Sequence, residues 1–364
     1  MLAAGYAAAA ILKHRHFDSS YDLAIFDQAV WHMSRFEGPA SSVRGMTSLF
    51  GDHFHPVIAL FAPLLWLSSS AETLLVAQAV LLAASIVPVY LFARRRLASG
   101  PALAIAIAYG LFWGMQQTAT FDVHEAAFAP LAVALLLLAV DRKQWGWAWA
   151  AALGAYLFVQ GERRRGAVLL AVSLLAFAVI VGVVIPAASD AGAYGYQDNY
   201  REALRHPWHL PAMLLDSPIK RLTAVLWVAP FALLPLASPL IVLIAPLAAV
   251  RFWSASQNHW GTIFHYSAPL APILAMAAAD GLARVGAMVQ HPQRRRRVIA
   301  SFAAACIVLA ALLPGHQPLW ALFSSKAYRF GLIDANASAS RKRASPAPLA
   351  SAVAVPAGCL GTRS

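Results

Sequence analysis

The sequence predicts an all-α protein, a polytopic transmembrane bundle of about eight to ten helices. Two observations carry this: a composition suited to lipid, and apolar runs of bilayer length. Of 364 residues, 60% are hydrophobic and 12% charged, and the mean hydropathy is +0.62. A soluble chain of this length needs more polar surface. A hydrocarbon core of ~30 Å, crossed at ~1.5 Å per helical residue, takes about 20 mostly apolar residues.

From the N-terminus, the apolar piece Met1 to Leu12 is too short to cross and lacks the basic flank of a signal peptide. It is expected to be the end of a first helix that begins upstream. Residues 13–71 then form a large polar first loop. Spans are expected at 72–93, 101–118, 124–140, 166–188, 219–237, 265–284 and 298–314, with a shorter Pro-flanked stretch at 239–253. The 22 prolines do not oppose this, because neighbouring helices can satisfy the carbonyls that proline frees. Residues 335–364, rich in Ala, Ser and Pro without periodicity, read as a disordered tail behind a transmembrane domain of residues 1–334. Cys306 falls in a span and Cys359 in the tail, so no disulfide framework is implied.

A net charge of +12 does not point to nucleic acid. The basic residues form short runs beside apolar segments (Arg94–Arg96, Arg142-Lys143, Arg163–Arg165, Arg294–Arg297) and no helical stripe. Such runs stay in the cytoplasm. The lipid bilayer is therefore the expected partner and the plasma membrane the expected, multi-pass, location. This places the loops 13–71, 119–125, 189–218 and 254–264 outside, and with them every histidine except His291. One stretch conflicts with the count. Arg142-Lys143 and Arg163–Arg165 can both be inside only if the chain crosses an even number of times between them, and Trp145–Gln160 is too short for a hairpin. That stretch is expected either to lie along the cytoplasmic interface, with Trp145, Trp147 and Trp149 at headgroup level, or to cross once and strand Arg163–Arg165 outside; the positive-inside bias favours the first.

The first loop holds the densest chemistry. Asp22 and Asp27 stand five apart, so a helix does not put them on one face; its apolar residues Leu23, Phe26 and Val30 are expected in the membrane. Asp52-His53 with His55, and Asp122 with His124 and Glu125, form two further polar clusters. Carboxylates serve as general bases or as ligands of hard divalent cations, while His53, His55 and His124 beside Asp52, Asp122 and Glu125 leave zinc open as an alternative. Arg201 and Arg205, near Glu202, His206, Trp208 and His209, suit a lipid phosphate or, equally, an interfacial helix. His265-Tyr266 opens a span at the outer interface.

The strings DLAIFDQAVW (22–31), LFGDHFHPVIALFAPLLWL (49–67), FDVHEAAFAPLAVALLLLA (121–139) and HYSAPLAPILAMAAADG (265–281) resemble the DUF2079 family of predicted membrane proteins over most of residues 18–285. That family in turn resembles the GT-C superfamily of polyprenyl-phosphate-sugar-dependent glycosyltransferases. The resemblance implies a GT-C-like bundle with a large first external loop, in which Asp22 takes the place of the essential acidic residue after the first helix, as general base or metal ligand. It implies that Asp52 and His53 share the catalysis. Asp27, Gln28, Asp122, His124, Glu125, Arg201, Arg205, His265 and Tyr266 would bind a polyprenyl-phosphate sugar, and Asp22 and Asp122 would hold Mg²⁺ or Mn²⁺. The chain departs from the family pattern at 145–165, where a helical hairpin with an acidic tip is missing.

Two further readings stay open: a non-catalytic transporter or lipid-binding protein, and an inactive, truncated copy. A transporter calls for ionisable residues at mid-membrane depth. The predicted span interiors are nearly free of them.

Overall fold

The computed structural model describes residues 1–16, 19–141, 163–313 and 318–323. Every regular element among them is helical, apart from an isolated antiparallel bridge between Ser41 and Met46. Arg142-Lys143, Trp145–Gln160 and the tail 335–364 lie outside the described residues. The principal helices are α1 (Leu2–Arg15), α2 (Tyr21–Ser34), α3 (Ala71–Ala84), α4 (Ile86–Arg94), α5 (Ser99–Leu111), α6 (Trp113–Thr120), α7 (Phe128–Asp141), α8 (Arg163–Val179), α9 (Pro218–Val228), α10 (Ala245–Phe252), α11 (Ala271–Ala287) and α12 (Pro292–Leu312).

Among the described residues, three helices are long and apolar enough to cross a bilayer: Ala71–Arg94, Gly166–Ala188 and His265–Ala287. They coincide with three expected spans. The first is started by Ser70, whose hydroxyl accepts from the Glu72 N–H, and ends on Arg94, so each end carries the charge its dipole favours. The second stands apart, with Val168, Leu174, Leu175 and Phe177 exposed, as suits a helix surrounded by lipid.

Other expected spans are interrupted. The run 101–118 breaks at Phe112, whose ψ is 130°; the Gly110 carbonyl just before it accepts from the buried Tyr6 hydroxyl. The run 219–237 is α-helical only to Val228 and passes through a 3-10 turn at Ala229–Phe231, after which Ala232 and Leu233 adopt left-handed backbone. Prolines 230, 235 and 239 have no N–H to continue a ladder. The resulting 3-10 turns at Leu234–Ala237 and Pro239–Ile244 wrap around α11. Irregular backbone of this kind is tolerated at depth when protein covers it. Gly281 makes the fit possible, since a Cβ there would lie 2.1 Å from the Leu234 carbonyl oxygen.

The main core surrounds α11, which packs on α4, α5, α7 and α12. A second core joins α2 to the 3-10 segment Pro56–Trp66. Here the structure corrects an expectation: Leu23, Phe26 and Val30 are not in lipid but buried with Ile58, Phe61 and Leu74. Both α7 and α11 run from this polar end of the molecule to an opposite end rich in arginine. There Asp141 pairs with Arg95 and Arg96 at 2.6 Å each, and Asp280 pairs with Arg96 at 3.3 Å and Arg284 at 2.7 Å.

Candidate functional site

A cavity of about 750 Å³ opens at the end opposite these arginines. Its walls come from the first loop, the turn at 121–125, the loop at 194–200 and the turn at 256–266. All four segments that the charge pattern assigned to one side therefore meet in one place.

Asp22 reaches the cavity from the first turn of α2. Ser20 caps that turn by accepting from the Asp22 N–H, and the buried Asp122 carboxylate accepts from the Leu23 N–H at 3.3 Å. The Asp22 carboxylate is half-buried and has no hydrogen-bond or ion-pair partner among the described residues. Asp27, five residues on, is rotated by about 140° at ~100° per residue and does not line the cavity; burial pushes its carboxyl up, with His14 opposing.

Asp122 belongs to the frame of the site, behind the cavity wall. Burial pushes its carboxyl up to about 6, against the pull of Lys13 and the backbone N–H groups of Leu23 and Ser20. Its φ of 136° is strained for any residue with a side chain. Gln78 holds the strain in place: its amide donates to the carbonyls of Thr118 at 2.9 Å and Asp122 at 2.7 Å and accepts from the His124 N–H at 2.9 Å. The strained turn thereby delivers His124 and Glu125 to the cavity wall.

Also on the lining, Asp52 joins three groups. His53 Nδ1 lies at 2.8 Å, the Tyr196 hydroxyl donates at 3.3 Å and Arg44 donates at 3.3 Å. Burial alone would raise the Asp52 carboxyl, but the His53 contact and the Arg44 charge hold it below the usual carboxylate range. His53 moves the other way: burial opposes its charged form, yet the Asp52 and Glu125 carboxylates raise it above its ordinary value. The loop that brings Tyr196 is seated by Gly51, where a Cβ would lie 2.3 Å from the Ala188 carbonyl oxygen, and by the Thr47 N–H donating to Asp190 at 3.1 Å.

Glu125 sits among imidazoles. His124 Nδ1 is 2.6 Å from one carboxylate oxygen and His55 Nδ1 is 3.2 Å from the other. The His265 ring stacks on His124 with centroids 3.8 Å apart. Burial pushes the His55 ring down against the pull of Glu125. Among the described residues, no group of three or more His, Cys, Asp or Glu could hold a metal ion. The Asp122 carboxylate, committed to the start of α2, does not fit the role of a metal ligand shared with Asp22.

The sequence pattern of the DUF2079 family, described as a predicted membrane protein, matches residues 13–345. The chain belongs to this family. No curated protein and no solved structure gives a significant match.

In this DUF2079 chain the cavity collects Asp22, Asp52, His53, His124, Glu125, His265 and Tyr266. It does not collect Asp27, Gln28, Asp122, Arg201 or Arg205. The Gln28 amide pins the turn at 41–43 through Ser41 and Ser42. Arg201 pairs with Asp198 on an exposed short helix, a partner visible in the sequence at i−3. Sequence reasoning missed Arg44, Gln78, Tyr196 and Arg251. Arg251 is a lone arginine in an apolar stretch, which was itself the available signal.

Proposed function

We propose that this DUF2079 protein is a multi-pass plasma-membrane glycosyltransferase of the GT-C kind, moving a sugar from a polyprenyl-phosphate donor to an acceptor hydroxyl at the non-cytoplasmic face. The observation that carries the proposal is Asp22, a carboxylate without a partner among the described residues, set on a capped helix start and lining the cavity. A general base needs a free lone pair at the site of proton abstraction. As the acceptor oxygen attacks the sugar C1, its proton passes to Asp22. The C1–O bond to phosphate breaks, and the lipid phosphate leaves with the electron pair.

The walls support a substrate of this type. Part of the lining is polar, and Ala129 and Ala132 of α7 with Leu247 and Val250 of α10 supply an apolar part. An amphiphile with a charged head and an apolar tail matches that division. Asp52 holds His53 and Arg44 in place, and in the neutral His53 ring it fixes the tautomer that leaves Nε2 basic.

The test is transfer of labelled sugar from isoprenyl-phosphate-linked donors by the purified protein in vesicles. Asp22→Asn keeps volume and removes the base, and should lower turnover by at least ~100-fold with unchanged membrane insertion. Equal transfer by the variant would sink the assignment.

A further inference from the structure

Five carboxylates and guanidinium groups line the cavity: Asp22, Arg44, Asp52, Glu125 and Arg251. Three of them are committed. Arg44 faces Asp52, which also holds His53, and Glu125 faces His55 and His124. What remains among the described residues is one anion, Asp22, and one cation, Arg251, and these two form no ion pair with each other.

Arg251 closes α10 and is only 6% exposed. Its Nε donates to the His259 carbonyl at 2.8 Å, one terminal nitrogen to Ser267 Oγ at 2.7 Å and the other to the Gly261 carbonyl at 2.9 Å. The guanidinium also lies 5.2 Å from the centre of the Trp227 ring. These contacts fix its plane and satisfy part of its hydrogen-bonding capacity, but they bring no negative charge. A guanidinium has five N–H donors, so one remains on each terminal nitrogen. Burying an uncompensated charge is costly. Tying the 254–264 turn calls for donors but not for a charge.

We infer that Arg251 is the anion-binding residue of the cavity, and that the group it receives is a phosphate ester. A planar fork with one free N–H on each arm matches two phosphate oxygens. The inference rests on the transferase reading for the lipid that carries the phosphate, though not for the anion site itself. Asp22 and Arg251 then divide the work: one accepts the acceptor's proton, the other holds the departing phosphate. This moves the phosphate contact from Arg201 and Arg205, which stand outside the cavity, to a residue inside it.

The experiment uses the full chain in lipid nanodiscs, with binding read by thermal melting and by titration. The probes are farnesyl phosphate, farnesol and inorganic phosphate. Wild-type protein should be stabilised by farnesyl phosphate and not by farnesol. R251Q should lose that stabilisation, and R251K, which keeps the charge but not the fork, should bind at least about tenfold more weakly, each compared with its own unliganded melting temperature. If R251Q does not fold, R251K alone decides. Inorganic phosphate binding as well as farnesyl phosphate would assign the anion to a soluble phosphate; weaker binding would assign it to a lipid one. Affinity for farnesyl phosphate unchanged in R251K, or farnesol binding as tightly as its phosphate, overturns the inference. Binding that depends on Arg251 without any sugar transfer would remove the transferase reading and leave the anion site standing. Transfer by an R251K protein of unchanged affinity would do the reverse.

Discussion

The two ends of the bundle handle charge in opposite ways. At the arginine end, Asp141 and Asp280 each hold two guanidinium groups, and the Ser238 hydroxyl donates to Asp280 at 2.7 Å. At the cavity end, Asp22 and Arg251 line the cavity without an ion-pair partner among the described residues, and an aspartate is held at φ 136°. Paired charge closes an end of a membrane protein against water and lipid headgroups. Uncommitted charge inside a cavity, unlike that of the exposed Arg294–Arg297 at the arginine end, is a feature that folding alone would remove, so its persistence marks where ligand chemistry belongs.

The contrast can be broken first at Gln78. Replacing it with Leu strips the buried carbonyls of Thr118 and Asp122 and the N–H of His124 of their partner, each at about 1–3 kcal/mol. Gln78→Leu should lower stability by several kcal/mol in detergent melting, and lower any transfer activity with it. A loss below about 1 kcal/mol would show that the strained turn does not depend on this amide.

A smaller effect separates the ends by pH. The folded-state value of His53 is raised above its unfolded value near 6.5. Its contribution is therefore fully present below about pH 6.5 and fades as pH rises through the folded value. Asp52 is lowered, so its share is present above about pH 4 and is lost on further acidification. The stability difference between wild type and His53→Gln should be on the order of 1 kcal/mol near pH 6 and should shrink toward pH 9. A difference that grows with pH would reverse the assigned charges.

The smallest effect is expected at the arginine end itself. Arg284 is largely exposed and Asp280 keeps Arg96 and Ser238 without it. Arg284→Ala should cost no more than about 0.5 kcal/mol, measured by the same melting assay. A loss as large as that of Gln78→Leu would erase the distinction between the ends.

Much of this arrangement was legible before the fold. The three long apolar helices follow from length and hydropathy alone, and the arginine runs sorted the loops so that Asp22, Asp52, His53, His124, Glu125, His265 and Tyr266 fell on one side together. The misses share a cause. Gln78 and Arg251 are single polar residues inside apolar runs, and their work depends on which backbone groups packing brings against them. Asp122 has the sequence surroundings of a site residue, yet its carboxylate is used on the start of α2. The interruptions after Val228 depend on how Pro230, Pro235 and Pro239 pack around α11, which periodicity does not encode.

The central claim, that the cavity end and the arginine end lie on opposite sides of the membrane, has a direct test. Single cysteines at the exposed positions Ala193 and Gln290, in a chain with Cys306 and Cys359 replaced by Ser, can be labelled in intact cells with a membrane-impermeant maleimide. Ala193→Cys should react from outside and Gln290→Cys only after permeabilisation. Both positions reacting from the same side, or the reverse pattern, would contradict it.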